Sequence, residues 1–256
     1  MFYNICMTKK KTKRQPLGTG RKIILMICLI VFCGSAAYIG LYFKEAHQVQ
    51  TDFAQIEGLG LEDLYAKNQD TVAWLKVPDT RINYPVMQTK DDPEFYLHRN
   101  FDKEESASGT PFLAADCNLG DSQGKGATWN WLIYGHNMKS GTMFHDLLEF
   151  ESQEFWESHP TYTLDIIRGV EVESHEVEIF AAARSRIFLE GESGFKYYQY
   201  TNYTDQQTFN DFVSGVQKQS CISTGITPQF GDQLVTLSTC AYHTEEGRFY
   251  VVGILR

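Results

Sequence analysis

The chain has 256 residues, 43% hydrophobic, 14% aromatic and 21% charged, a composition that excludes collagen-like, low-complexity and wholly disordered proteins. Six cysteines are too sparse for a disulfide-built miniprotein. The net charge of −9 argues against nucleic-acid binding, which needs a basic surface to neutralise phosphates.

That charge is unevenly spread. Residues 1–44 hold Lys9, Lys10, Lys11, Lys13, Arg14, Arg21, Lys22 and Lys44 and no acid. Taking these eight from the 23 basic residues leaves 15 against all 32 acidic ones, so the remainder carries a formal charge of −17. Between the basic cluster and the acidic remainder runs Ile23 to Phe43, 21 residues without a charge. As a helix at about 1.5 Å per residue it spans roughly 30 Å, the thickness of a bilayer's hydrocarbon core. A cleaved signal peptide is the competing reading, because Ser35-Ala36-Ala37 offers small residues. The apolar run outlasts the roughly 7–15 residues of a signal's hydrophobic region, so we read an uncleaved anchor. Seven of the eight basic residues precede it, which predicts a cytoplasmic N-terminus and an extracytoplasmic C-terminal domain, single-pass in the cell membrane. The expected organisation is a cytoplasmic basic tail over 1–22, a transmembrane signal anchor over 23–43, a helical lead-in over 44–70 and a β domain over 71–256.

Within the lead-in, mixed polar and apolar residues from about His47 to Asn68, interrupted by Gly58 and Gly60, predict one or two helices. Beyond it the period changes. Thr71–Val77, Ile82–Gln88, Thr110–Ala115, Thr128–Tyr134, Thr161–Ile167, Val177–Ala183, Gln233–Thr239 and Arg248–Leu255 are short runs rich in β-branched and aromatic residues, separated by turn signals. Eight strands with few helix-length spacers predict a mainly β domain, a closed or nearly closed antiparallel barrel. Peripheral helices are expected at Met143–Phe150, at Gln153–Ser158 before Pro160, and from Thr204 to Gln219. The last opens on the capping-box pattern Thr204-Asp205-Gln206-Gln207 and carries Phe209, Phe212, Val213 and Val216 on one face.

Only Cys117, Cys221 and Cys240 lie in the exported domain. The number is odd, so at least one thiol is unpaired within the chain, and whether Cys117 and Cys221 bond is open. The sharpest local pattern is Thr236-Leu237-Ser238-Thr239-Cys240, then Ala241 to Gly247, then Arg248-Phe249-Tyr250. Two strand signals around a short loop predict a hairpin that sets Cys240 beside Arg248. A cation near a thiol favours the nucleophilic thiolate, and a guanidinium fork can donate hydrogen bonds to an oxyanion. A buried structural cysteine beside a surface arginine fits the same hairpin. Acyl transfer also needs a proton shuttle. His136 leaves an apolar strand through Gly135 and sits on a loop, a setting the other six histidines lack. HExxH, CxxC and helical His pairs are absent, as are a GxSxG elbow and a P-loop, so neither metal nor cofactor is expected.

These residues together resemble the sortases, membrane-anchored cysteine transpeptidases of Gram-positive bacteria. The Thr-Leu-Ser-Thr-Cys form at 236–240, with Arg248 eight residues on and Tyr134-Gly135-His136-Asn137-Met138 upstream, is similar to class B. Tyr84-Pro85-Val86, Tyr96-Leu97-His98-Arg99-Asn100-Phe101, Gly109-Thr110-Pro111-Phe112 and Gly141-Thr142-Met143-Phe144 resemble the class in order and spacing, as does the late helix, so that the likeness covers about residues 45 to 256. It implies an eight-stranded sortase-type β-barrel in which Cys240 attacks a C-terminal sorting signal of a secreted protein and forms a thioester. An amine of a peptidoglycan precursor, the cell wall or a pilin then resolves it. It further implies His136 as acid and base, Arg248 as the oxyanion or backbone donor, and Leu97 and Ser238 as groove-lining, substrate-binding residues. Many class B members carry an acidic residue directly after the cysteine, where this chain has Ala241; Glu245 or Glu246 in the same loop can take its place. A tethered cysteine endopeptidase that uses water, and a non-catalytic envelope-binding domain, are the alternatives.

Overall fold

The computed structural model describes residues 18–256 except 122, 169–170 and 203–204. Most of the expected basic tail, and Thr204 of the expected capping box, lie outside the described residues. The chain divides into two compact units, residues 1–45 and 46–256. In the first, helix α1 (Thr19–Glu57) begins. Between Ile23 and Phe43 its large apolar side chains are exposed nearly all round, and the helix is long and apolar enough to cross a membrane.

In the second unit the closing turns of α1 are amphipathic. Phe53 is buried there, and its ring meets that of Tyr84 edge-on with centroids 5.1 Å apart. Helix α2 (Leu61–Lys67) buries Leu61 and Leu64. The predicted lead-in is therefore helical throughout most of its length, with its break at Gly58 to Gly60.

Eight strands follow: β1 (Thr71–Lys76), β2 (Asn83–Met87), β3 (Phe112–Leu113), β4 (Asn130–Tyr134), β5 (Thr161–Arg168), β6 (Glu171–Arg186), β7 (Leu234–Cys240) and β8 (Gly247–Leu255). They close into a barrel in the order β1-β2-β3-β4-β7-β8-β6-β5. Each expected strand is present. The barrel is not wholly antiparallel, however: β2 pairs with β3, and β4 with β7, in parallel. Parallel partners need long crossovers. The chain supplies them as the loop from Met87 to Phe112 and as the stretch from Tyr134 to Leu234, which contains β5, β6 and the late helix.

Strand lengths also differ from expectation, for physical reasons. β3 shrinks to two residues because Pro111 has no N–H to give the ladder; its carbonyl accepts from Met87 instead. β6 grows to 16 residues. Its residues up to Glu176 pair with β5 but not with β8, and they carry Glu171, Glu173 and Glu176, which hide a strand from a hydrophobic reading.

The peripheral helices fall close to their predicted places. Phe144–Glu151 is a 3₁₀ helix, and its neighbour Met143 has φ +58° and is fully buried, so it precedes the helix instead of starting it. Helix α3 (Gln153–Ser158) starts on Ser152, whose hydroxyl accepts from the Phe155 N–H. Helix α4 (Gln206–Gln219) starts on Asp205, whose carboxylate accepts from the Thr208 N–H at 2.9 Å, one residue later than the capping box placed it. Phe209, Phe212, Val213 and Val216 form its buried face, each contributing about 1.5–3 kcal/mol by leaving water.

Candidate active site

Two neighbouring strands of the barrel wall deliver the site. β4 and β7 run in the same direction, with Tyr134 opposite Ser238 at the end of their ladder. Their C-terminal ends therefore emerge together, one continuing into Gly135 and His136 and the other ending at Cys240. β8 returns antiparallel to β7 with Arg248 directly opposite Cys240. Facing residues in such a pair keep their Cβ atoms about 4.5–5.5 Å apart on one face of the sheet, so the thiol and the guanidinium are neighbours as the hairpin predicted.

They border a cavity of about 610 Å³. All five residues singled out from the sequence line it: His136, Cys240, Arg248, Leu97 and Ser238. Arg248 is held at its rim. Its Nη1 donates to the Gly247 carbonyl at 3.0 Å, and its Nη2 lies 3.7 Å from Oε2 of Glu246. Ser238 is fully buried, and its hydroxyl is engaged with that of Tyr197 at 2.7 Å. Tyr197 in turn stacks on Tyr250 with centroids 4.1 Å apart, and burial pushes its phenol up to about 12.

His136 is half-buried, and Nε2 donates to the Leu97 carbonyl at 2.8 Å. A carbonyl can only accept. The neutral ring thus carries its proton on Nε2 and leaves the Nδ1 lone pair free. Burial lowers the imidazole below its ordinary pKa of 6.5, and the neighbouring His98 lowers it further, against the opposing pull of the Leu97 carbonyl. Leu97 thus holds the ring through a main-chain atom and also lines the cavity.

The Leu97 carbonyl reaches His136 because Gly109 leaves room. Gly109 has φ +57°, and a Cβ there would lie 2.5 Å from the Leu97 oxygen and 2.6 Å from that of Tyr96. Gly109→Ala is expected to push the carbonyl off the imidazole and to lower turnover by about 10²-fold, the scale of a 1 Å misplacement. Steady-state turnover beside a thermal melt checks this; wild-type turnover in a folded variant would make the Leu97 carbonyl dispensable.

The other domain thiols sit elsewhere. Cys117 is fully buried, contacts the Asn130 carbonyl and the Leu132 N–H through sulfur, and is pushed up to about 12 by burial. Cys221 points at the Ala182 carbonyl, and burial raises its pKa as well. Both are free, so no bond joins them. Ala241 is buried, and its N–H donates to the Gly247 carbonyl at 3.0 Å. The loop's acidic group at the cavity wall is Glu246, in a left-handed conformation with φ +51°.

Sequence reasoning missed Glu94, Asp116 and Ile187, which also line the cavity. They come from three separate segments and carry no local signature. Among the described residues no group of three or more His, Cys, Asp or Glu is placed to hold a metal ion.

No protein-family model matches the chain. Sortase B of Listeria monocytogenes is 36% identical over 197 residues, 76% of this chain and 73% of that protein. Sortase B of Staphylococcus aureus is 28% identical over 215 residues, 83% of this chain and 78% of that protein. A solved Staphylococcus aureus sortase B–substrate complex has a TM-score of 0.70 at 25% identity, covering 83% of this chain and 98% of that one.

Proposed function

The chain belongs to the sortase B family, and on that premise we propose that it is a cysteine transpeptidase that cleaves a C-terminal sorting signal of secreted proteins and transfers them to an amine. The observation that carries this reading is the facing pair Cys240 and Arg248, with His136 on the wall of the same cavity.

In the proposed reaction the Cys240 sulfur attacks the backbone carbonyl of the sorting signal, and the thiol proton passes to Nδ1 of His136. Arg248 keeps Nη1 on the Gly247 carbonyl and donates to the oxyanion from another nitrogen of its fork. Collapse breaks the C–N bond, the leaving amine takes the proton from His136, and a thioester remains on Cys240. An incoming amine then attacks the thioester, His136 accepts its proton, and the C–S bond breaks as the thiol is restored. The Leu97 carbonyl holds Nε2–H throughout, so one ring nitrogen does all the proton traffic.

The acceptor in this reading is an amine of a peptidoglycan precursor, the cell wall or a pilin. The apolar length of α1 supports anchoring through residues 23–43. The seven basic residues before the span support a cytoplasmic N-terminus and a reaction outside the cell, where exported proteins emerge.

The test uses peptides copied from the C-terminal motifs of secreted proteins encoded beside this gene, with hydroxylamine and then a peptidoglycan-type amine as acceptors. A ligated product by mass spectrometry is expected. Hydrolysed peptide alone would make the chain an endopeptidase, and intact peptide would leave it a binding domain.

The imidazole also sets a pH dependence. Burial disfavours the charged ring, so neutral His136 persists to below pH 6.5 and protonates only under more acidic conditions. The acid limb of kcat/KM, which reports the free enzyme, is expected below pH 6.5 and to be absent in His136→Gln. A limb above pH 6.5 would assign it to another group.

A further inference from the structure

The ladder of β4 and β7 stops at Tyr134 and Ser238, yet the two groups that must cooperate lie two residues beyond it on each strand. Past the ladder, main-chain pairing supplies one more bond, from the Gly135 N–H to the Ser238 carbonyl at 3.1 Å. Side chains then take over. The Thr239 hydroxyl donates to the Gly135 carbonyl at 2.7 Å. Next, Nδ2 of Asn137 donates to the carbonyl of Cys240 itself at 2.9 Å. Asn137 is thus bonded directly to the residue bearing the thiol and covalently to the residue bearing the imidazole.

Its amide is itself held in place. Oδ1 of Asn137 accepts from Nδ1 of His145 at 2.8 Å. The Cys240 carbonyl can only accept, so the NH₂ faces it, Oδ1 faces His145, and the proton of His145 sits on Nδ1. The main chain around Asn137 is fixed on two further sides. The Tyr242 hydroxyl donates to the Asn137 carbonyl at 3.2 Å, and in the bridge that pairs Asn137 with Met143 the Phe144 N–H donates to the His136 carbonyl at 2.8 Å. Asn137 is 7% exposed, and a buried amide of this kind costs most when one of its bonds is lost.

We propose that Asn137, clamped by His145, is a positioning residue that sets the distance between the imidazole of His136 and the thiol of Cys240. The proposal rests on the reading of those two groups as base and nucleophile. Asn137 touches neither reacting atom; it acts by tying the strand ends that carry them.

The test follows the rate of Cys240 alkylation by iodoacetamide against pH in the full chain held in detergent. Mass spectrometry of the Cys240 peptide separates this thiol from the others. His98, Arg248, Glu246, Glu94, Asp116 and Tyr134, the charged or titratable groups around His136 and its cavity, remain in every variant and cancel in the comparison. His136→Ala is expected to change the wild-type profile by removing the imidazole's influence on the thiol. Asn137→Ala is expected to give a profile within twofold of His136→Ala, although its imidazole is intact. His145→Phe, which frees the amide without touching either strand end, is expected to move the profile in the same direction. His145→Gln, which restores a donor, is expected to move it back.

A wild-type profile in folded Asn137→Ala, with His136→Ala altered, would overturn the positioning role and leave the proposed reaction standing. A wild-type profile in His136→Ala would overturn the reaction's proton shuttle instead. If Asn137→Ala does not fold, the His145→Phe and His145→Gln pair decides: unchanged profiles in both would reject the clamp.

Discussion

Cys240→Ala is expected to abolish both the covalent adduct and the ligated product, a loss on the order of 10⁶-fold, the scale seen when an acyl-transfer enzyme loses its nucleophile. The size of the effect follows from the positions of the remaining thiols. Cys117 is sealed in the core and Cys221 faces the Ala182 carbonyl, so neither can reach the cavity that Cys240 borders. The substitution removes one sulfur from a partly buried strand end, and the barrel should melt near the wild-type temperature. Cys221→Ala provides the matching control and should retain full turnover. Intact-mass measurement after incubation with peptide reads the adduct, and chromatography reads the product. Ligation by folded Cys240→Ala would end the assignment of the nucleophile.

Arg248→Lys is expected to be almost as damaging as Arg248→Ala, each lowering kcat by about 10²–10³-fold, the range for one lost oxyanion donor. Charge alone would predict rescue by lysine; geometry does not. The guanidinium lies at the rim with Nη1 on the Gly247 carbonyl and Nη2 near Glu246, and its planar fork can keep one nitrogen anchored while another meets the developing charge. An ammonium is a single point on a flexible stem and cannot do both. Because the oxyanion forms after binding, KM should move little. A lysine variant with wild-type kcat would remove Arg248 from the oxyanion's surroundings.

The strands were legible because each is a short β-branched or aromatic run between turn signals. The β7–β8 hairpin was legible because a short loop joins two strand signals and brings Cys240 beside Arg248, while their directly facing register came only from the fold. Parallel pairing was not, because β4 meets β7 about a hundred residues downstream, and nothing local to either run names its partner. The outer half of β6 was hidden by its glutamates, which suit a solvated ribbon and defeat a reading based on apolar residues. Met143 looked like a helix start, but tertiary burial and a bond from its N–H to the Tyr84 hydroxyl hold it in a left-handed conformation. At the site, His136 stood out through its loop setting and its resemblance to a known motif. The Leu97 carbonyl and the Asn137 amide could not stand out, since their roles exist only once remote segments are folded together. Helix α1 is long and apolar enough to cross a membrane, and it runs on to Glu57 because helical spacing continues past Lys44.

Closure of the sheet has a consequence for how such a molecule meets its clients. Proteins crossing a membrane arrive extended, with main-chain donors and acceptors unsatisfied, and an open β edge would recruit them indiscriminately by adding them as a further strand. In this barrel β5 pairs with β1 to close the sheet, and the start of β6, which β8 does not reach, carries Glu171 and Glu173. On the proposed function, a passing polypeptide would find purchase only at the recess that side chains and loops shape, which would confine selection to a few residues of sequence and let a processed chain depart.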